Sequence, residues 1–395
     1  MDIKNRLTTG AQSLMAACLV LTCSLYFLVE NGSANSFTTY LIAVCAIGVF
    51  ASQPSTINLY DGPLTALVTG LLLYLAVSVI WSGGDESTLK HAAFALLVLT
   101  FCLSIGYSLE HYPRYLYWFV LFIIIAAAIN SGYSLYLHYA MPEYQPLPEP
   151  RLFALGRLSN PVISALSYGF ATVLCVFFVL TRRSLISRIM FAEIIVLFLG
   201  CIVLSGSRGV WPALLVGATV GILVHFDGHR KFQIIGVAIA IIAVTVGALA
   251  LGLDAILDRA LSFRPEIWAE FTQRTLDTNL FLGAGMTADS TFQHPSQLIK
   301  HPHSIFVATL YYGGLVGLLL LIAMLGRTVW LIVLMPHGEI KTLAAMLLSF
   351  GVIATLVDGN ELLTKINYLW LLIWLPVGLT MYIKPDVKGD AEDRA

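Results

Sequence analysis

Apolar runs separated by short polar turns repeat from one end of the chain to the other. Runs near the ~20 residues a helix needs to cross a bilayer fall at 11–29, 36–52, 64–82, 91–109, 114–138, 161–181, 186–205, 208–226, 232–252, 304–326, 328–357 and 366–383. The eleventh contains Pro336, His337, Gly338, Glu339 and Lys341, so Arg327 to Lys341 reads as a loop and the span shortens to about 342–357. The first, from Ala11 to Val29, is too long for the core of a signal peptide and no small-residue cleavage pattern follows it, which makes it a membrane helix. The pattern predicts an all-α polytopic membrane protein, one transmembrane domain over 1–395 with about twelve helices.

Charge position orients these helices. An even count puts both termini on one side, and Lys4, Arg6, Arg114, Arg182, Arg183, Arg188, Arg230, Lys231, Arg327, Lys341, Lys384, Lys388 and Arg394 fall on it. The short loops opposite hold Lys90, Arg208 and Lys365, so the positive-inside rule makes both termini cytoplasmic. Two longer loops face outward: 139–160, rich in proline, and 253–303, the longest polar stretch, expected as a helical loop between helices nine and ten. They carry Arg151, Arg157, Arg259, Arg264, Arg274 and Lys300, and long loops are partly exempt from the charge rule. No internal repeat is present, and Glu193 is the clearest ionisable residue within a span, which weakens an ion-coupled carrier as the function.

Composition narrows the classes further. Hydrophobic residues make up 58% of the chain and charged ones 11%, against roughly 25% charged in a soluble domain. A net charge of -1 gives no basic excess to suggest a nucleic-acid partner. The six cysteines, Cys18, Cys23, Cys45, Cys102, Cys175 and Cys201, all lie in apolar runs, where a thiol is a small hydrophobe.

Three outward-facing clusters carry candidate chemistry. In Ser205-Gly206-Ser207-Arg208-Gly209, a turn opening onto a helix offers backbone N–H groups at the positive helix end, and Arg208 adds a planar cationic fork, together a phosphate cradle. The structural alternative is an arginine that snorkels to the interface. In Ser262 to Phe271, Pro265 suits a first helical turn, Ile267, Trp268 and Phe271 share a face, and Arg264 stands at the start, where the helix dipole disfavours a cation. Trp268 there suits an interface anchor. In His301-Pro302-His303-Ser304, Pro302 keeps His301 extended, Ser304 is placed to cap the next helix, and His303 sits at its positive end. Such a position favours the neutral imidazole a general base needs, although a lone interfacial histidine is also a common structural residue. A metal reading of His294, His301 and His303 with Asp289 lacks recognised ligand spacing, and no nucleophile elbow, phosphate loop or dinucleotide fingerprint is present. Gly313, Gly314 and Gly317 read as a close helix-packing surface.

Taken together, these sites resemble the O-antigen ligase family of bacterial inner-membrane glycosyltransferases. The resemblance rests on His303 and Ser304 followed by Gly314 and Gly317, on Arg208 in its S-R-G context, and on Arg264, Trp268 and the Gly283-Ala284-Gly285 turn. Gly156-Arg157-Leu158-Ser159-Asn160-Pro161 adds weaker support.

The resemblance implies transfer of a preassembled polysaccharide from undecaprenyl diphosphate to a hydroxyl of lipid A-core, in lipopolysaccharide biosynthesis, with inversion and without metal or other cofactor. It implies a Gram-negative inner-membrane protein with its active site facing the periplasm. The implied catalytic residues are His303 as base and Arg208 and Arg264 on the diphosphate, with Arg157, Arg151, His301 and Trp268 as substrate contacts. An O-antigen polymerase shares this chemistry and differs in acceptor. A transporter of lipid-linked oligosaccharide would keep the arginines as a passive cradle and would not need His303.

Overall fold

A computed structural model describes residues 3–30, 32–83, 88–112, 114–141, 151–226, 263–294 and 297–382; the expected span at 232–252 lies outside them. In chain order the helices are α1 (Ile3–Leu28), α2 (Ser33–Ser52), α3 (Gly62–Val77), α4 (Thr88–His111), α5 (Tyr115–Ala140), α6 (Pro161–Thr181), α7 (Leu185–Ser205) and α8 (Val210–His225). There follow α9 (Arg264–Thr278), a hairpin of β1 (Phe292–His294) and β2 (Gln297–Ile299), α10 (Ile305–Leu334), α11 (Glu339–Val357) and α12 (Leu375–Met381), the last preceded by a π-helical turn at Trp370–Trp374. Among the described residues nine helices are long and apolar enough to cross a membrane, while α8 and the Trp370–Met381 segment are shorter. The protein is an all-α membrane protein, with the hairpin as a small extra in a loop expected to be helical.

Local chemistry sets the helix ends. Asp61 accepts the Leu64 N–H ahead of α3, and Asn160 accepts those of Val162 and Ile163 ahead of α6, each followed by a proline in the first turn, where its missing N–H has no partner to lose. Gly206 ends α7 at φ 66°, a left-handed cap that glycine adopts without Cβ strain.

The last segment is the centre of the bundle. Every residue from Tyr368 to Met381 is buried, which explains a run apolar on all sides, and α12 packs against α4 and α11. On the flank, Gly217 and Gly221 let α8 approach α11 closely: a Cβ on Gly217 would stand 3.0 Å from that of Phe350. Small residues four apart are a common device where lipid supplies no hydrophobic drive between helices. At the opposite end from the site described below, Asp61 pairs with Arg327 (Nε–Oδ1 3.0 Å) and donates its N–H to the Met381 carbonyl at 2.8 Å, joining α3, α10 and α12.

Helix α10 is broken, which corrects the expectation that its glycines serve only for packing. Gly314 has φ 60° and ψ -163°, a region essentially reserved for glycine. The groups freed by the break are taken up by the loop after α9: Ala284 and Gly285 N–H donate to Tyr311 and Tyr312 carbonyls (2.7 and 2.9 Å), and Leu315 N–H donates to Leu280 O (2.9 Å). Tyr74 of α3 donates to Gly313 O at 2.9 Å. Irregular backbone is tolerated at membrane depth only when satisfied by protein in this way. Gly283-Ala284-Gly285 and Gly313-Gly314 are thus two halves of one joint.

Candidate active site

The N-terminus of α10, the loop after α11 and the 151–160 segment meet at one end of the bundle around a cleft of about 270 Å³. Tyr26, Arg157, Asn160, His301, His303, Asp358, Asn360, Asn367 and Tyr368 line it. Its floor is a buried polar network joining α1, α5 and α6: Tyr26 and Ser167 hydroxyls lie 3.0 Å apart, Tyr168 donates to Asn130 Oδ1 at 2.6 Å, and Asn130 Nδ2 donates to Phe27 O at 2.7 Å. Such networks rigidify when each member has a partner.

His303 is in left-handed conformation, φ 55°, unusual for a residue with a Cβ and typical of places where function imposes strain. Ser304 is the N-cap residue of α10, but its side chain makes no cap hydrogen bond, contrary to the sequence expectation. Nδ1 of His303 lies 2.9 Å from Asp358 Oδ1, with the carboxylate 7% and the imidazole 30% exposed. A carboxylate only accepts, so Nδ1 is the nitrogen that donates, which in the neutral ring leaves the lone pair on Nε2. The pair therefore has one imidazole nitrogen fixed and the other available as a base, the arrangement used to orient catalytic histidines.

His301 stands beside it, ring centroids 3.9 Å apart, and its buried Nδ1 has no hydrogen-bond partner among the described residues. Burial first, and the neighbouring His303 second, push its pKa down to about 4, against a smaller opposing effect of Asp358. It is a neutral wall of the cleft at physiological pH. His301, His303 and Asp358 each place one donor atom within 4.8 Å of the others, a set whose nitrogen and oxygen donors suit zinc. The His294 and Asp289 of the sequence grouping are not part of it. His294 lies 2.8 Å from Glu266 and packs against Phe263; Asp289 accepts from Thr291 N–H and hydroxyl, which lowers its pKa.

Arg157 supplies the cation that lines the cleft. Its Nη2 donates to the Ile366 carbonyl, its Cζ sits 5.6 Å over the Tyr26 ring, and Asn35, with its amide oxygen turned toward the guanidinium, accepts from Nη1 at 3.3 Å. Burial lowers its pKa somewhat, yet a guanidinium stays charged.

The other predicted arginines and Trp268 do not line the cleft. Arg208 is exposed at the start of α8, held close by its neighbours: Ser207 Oγ donates to Pro161 O at 3.1 Å, next to Asn160, and Gly209 packs on Val357, next to Asp358. Arg151 lies over the same turn, its Nε donating to Ser205 O at 2.7 Å. Arg264 begins α9, and Trp268 lies half-buried one turn on, its enclosed indole N–H without a hydrogen-bond partner among the described residues. Helix α9 rests on α10 through Phe271, whose ring centroid is 5.0 Å from that of Tyr311. Sequence reasoning missed Asp358, Asn360 and Tyr368. The run Asp358-Gly359-Asn360-Glu361 between the last two apolar runs was the available signal, a cluster of polar groups on the same face as His303.

The family described as O-antigen ligase matches residues 193–322, which include Arg208, Arg264, His301 and His303. An O-antigen ligase from Pseudomonas aeruginosa is 28% identical over 373 residues, covering 91% of this chain and 88% of the relative.

Proposed function

We propose that this chain, similar to the O-antigen ligase family over residues 193–322 and to an O-antigen ligase over most of its length, transfers a preassembled polysaccharide from undecaprenyl diphosphate to a hydroxyl of lipid A-core at the periplasmic face of the inner membrane. The observation that carries this reading is the 2.9 Å bond between His303 Nδ1 and Asp358 Oδ1 at a cleft lined by a half-buried arginine, Arg157. A sugar hydroxyl placed at Nε2 gives up its proton as its oxygen attacks the anomeric carbon. The bond from that carbon to the diphosphate breaks on the opposite face, with inversion. Asp358 positions the imidazole and stabilises its cation. The departing diphosphate takes the electron pair and is met by arginine: Arg208 at a helix N-terminus beside the cleft, Arg264 at another, and Arg157 within. No metal is required, since arginines neutralise the leaving group and histidine takes the proton.

Expression in a Gram-negative strain lacking its own ligase tests this. Wild type restores long polysaccharide on lipopolysaccharide, while His303→Ala leaves bare core and accumulates lipid-linked polymer. A chain that instead lengthens the donor-linked glycan, with no ligation, is a polymerase; one whose His303→Ala variant retains full ligation has no histidine base.

A further inference from the structure

Beside the cleft lies a larger hollow of about 430 Å³, lined by Gly32, Ser33, Ser36, Phe37, Tyr40 and Lys365. The two adjoin through one side chain. A Cβ on Gly32 would stand 3.9 Å from Arg157 Nη1, and Arg157 Nη2 bonds the carbonyl of Ile366, the residue after Lys365. Lys365 is exposed at the rim. From this rim α2 runs away from the cleft end, and Phe37, Tyr40, Val44 and Ile47 are 64, 53, 66 and 50% exposed. Their spacing of three, four and three places them on one helical face. At 1.5 Å per residue the stripe is about 15 Å long, roughly half of a ~30 Å hydrocarbon core, so it spans one leaflet.

We propose that the hollow and stripe form a groove for an anionic acyl glycolipid of that leaflet, with its phosphate at Lys365 and an acyl chain along α2. Resting on the ligase reading, this lipid is the acceptor, whose sugars pass Arg157 to reach His303. Charge and length select the occupant. A cation where headgroups lie, above an apolar face of one leaflet's depth, matches a phosphorylated acyl lipid; a polyprenyl chain is several times longer than the stripe. Continuity with the cleft distinguishes the groove from the ordinary lipid-facing sides of the other helices.

The test is titration of purified protein in nanodiscs with lipid A-core, with its dephosphorylated form and with undecaprenyl phosphate, read by native mass spectrometry. Lys365→Gln weakens lipid A-core binding about tenfold, as loss of one charge-assisted bond does, Lys365→Arg preserves it, and the dephosphorylated lipid is indifferent to both. In transfer assays Lys365→Gln raises acceptor KM by a similar factor and leaves kcat and donor KM unchanged. Equal binding of lipid A-core by wild type and Lys365→Gln overturns the groove, as does a Lys365 dependence confined to undecaprenyl phosphate. Lys365-dependent binding by a wild type that makes no ligated product keeps the groove and removes the ligase reading.

Discussion

A left-handed φ at His303 costs about 1–2 kcal/mol for a side chain with a Cβ, and Asp358 helps to hold the ring against it. Asparagine tolerates this conformation better than most residues, so His303→Asn is expected to fold like wild type and to transfer no glycan, which a thermal melt and a transfer assay on one preparation will show. Asp358→Asn turns the carboxylate into an amide that no longer enforces the tautomer. Its kcat is expected to fall by about 10²-fold with donor and acceptor KM little changed and an altered pH–rate profile, and Asp358→Glu is expected to recover part of the rate. His301 predicts a pH dependence of stability. Its pKa is about 4 when folded, against 6.5 as the reference, so between those values the unfolded chain binds the extra proton. Stability is therefore full above pH 6.5 and declines as pH falls toward 4, by on the order of 3 kcal/mol in total; His301→Gln flattens this part of a melting-temperature profile against pH. His303 was legible in the sequence because histidine, serine and two glycines stand in fixed spacing. Its partner was not, because Asp358 lies 55 residues away and only folding brings α11 beside α10.

Helices α1 to α7, α10 and α11 were legible because lipid demands long apolar runs and their caps are local. The break in α10 was not, because a glycine that packs and a glycine that bends read alike until the loop bonded to it is known. A methyl on Gly314 would meet the Phe281 carbonyl and force a left-handed Cβ. Gly314→Ala is expected to cost about 2 kcal/mol or more and to lower activity, read as reduced melting temperature in detergent together with reduced transfer. Tyr74→Phe removes one donor to the freed Gly313 carbonyl, with an expected loss of about 1 kcal/mol. Helix α12 was recognisable as apolar but not as central, since a run buried by protein and one buried by lipid have the same composition.

Across the whole molecule the fold collects polar function at one end of an apolar bundle and closes the other with the Asp61–Arg327 pair. The positive-inside pattern is the basis on which we propose that the cleft end faces the periplasm. A membrane-impermeant thiol reagent applied to intact cells of permeable outer membrane is accordingly expected to label Lys365→Cys, and to label His337→Cys only after the inner membrane is opened. The most direct measurement of the central claim is glycan transfer by purified protein from undecaprenyl diphosphate to lipid A-core with EDTA present, comparing wild type, His303→Asn and Asp358→Asn. The account predicts ligated product from wild type, none from His303→Asn and a strongly reduced rate from Asp358→Asn. Transfer abolished by EDTA and restored by a divalent ion would instead make His301, His303 and Asp358 a metal site, and undiminished transfer by His303→Asn would contradict the histidine base.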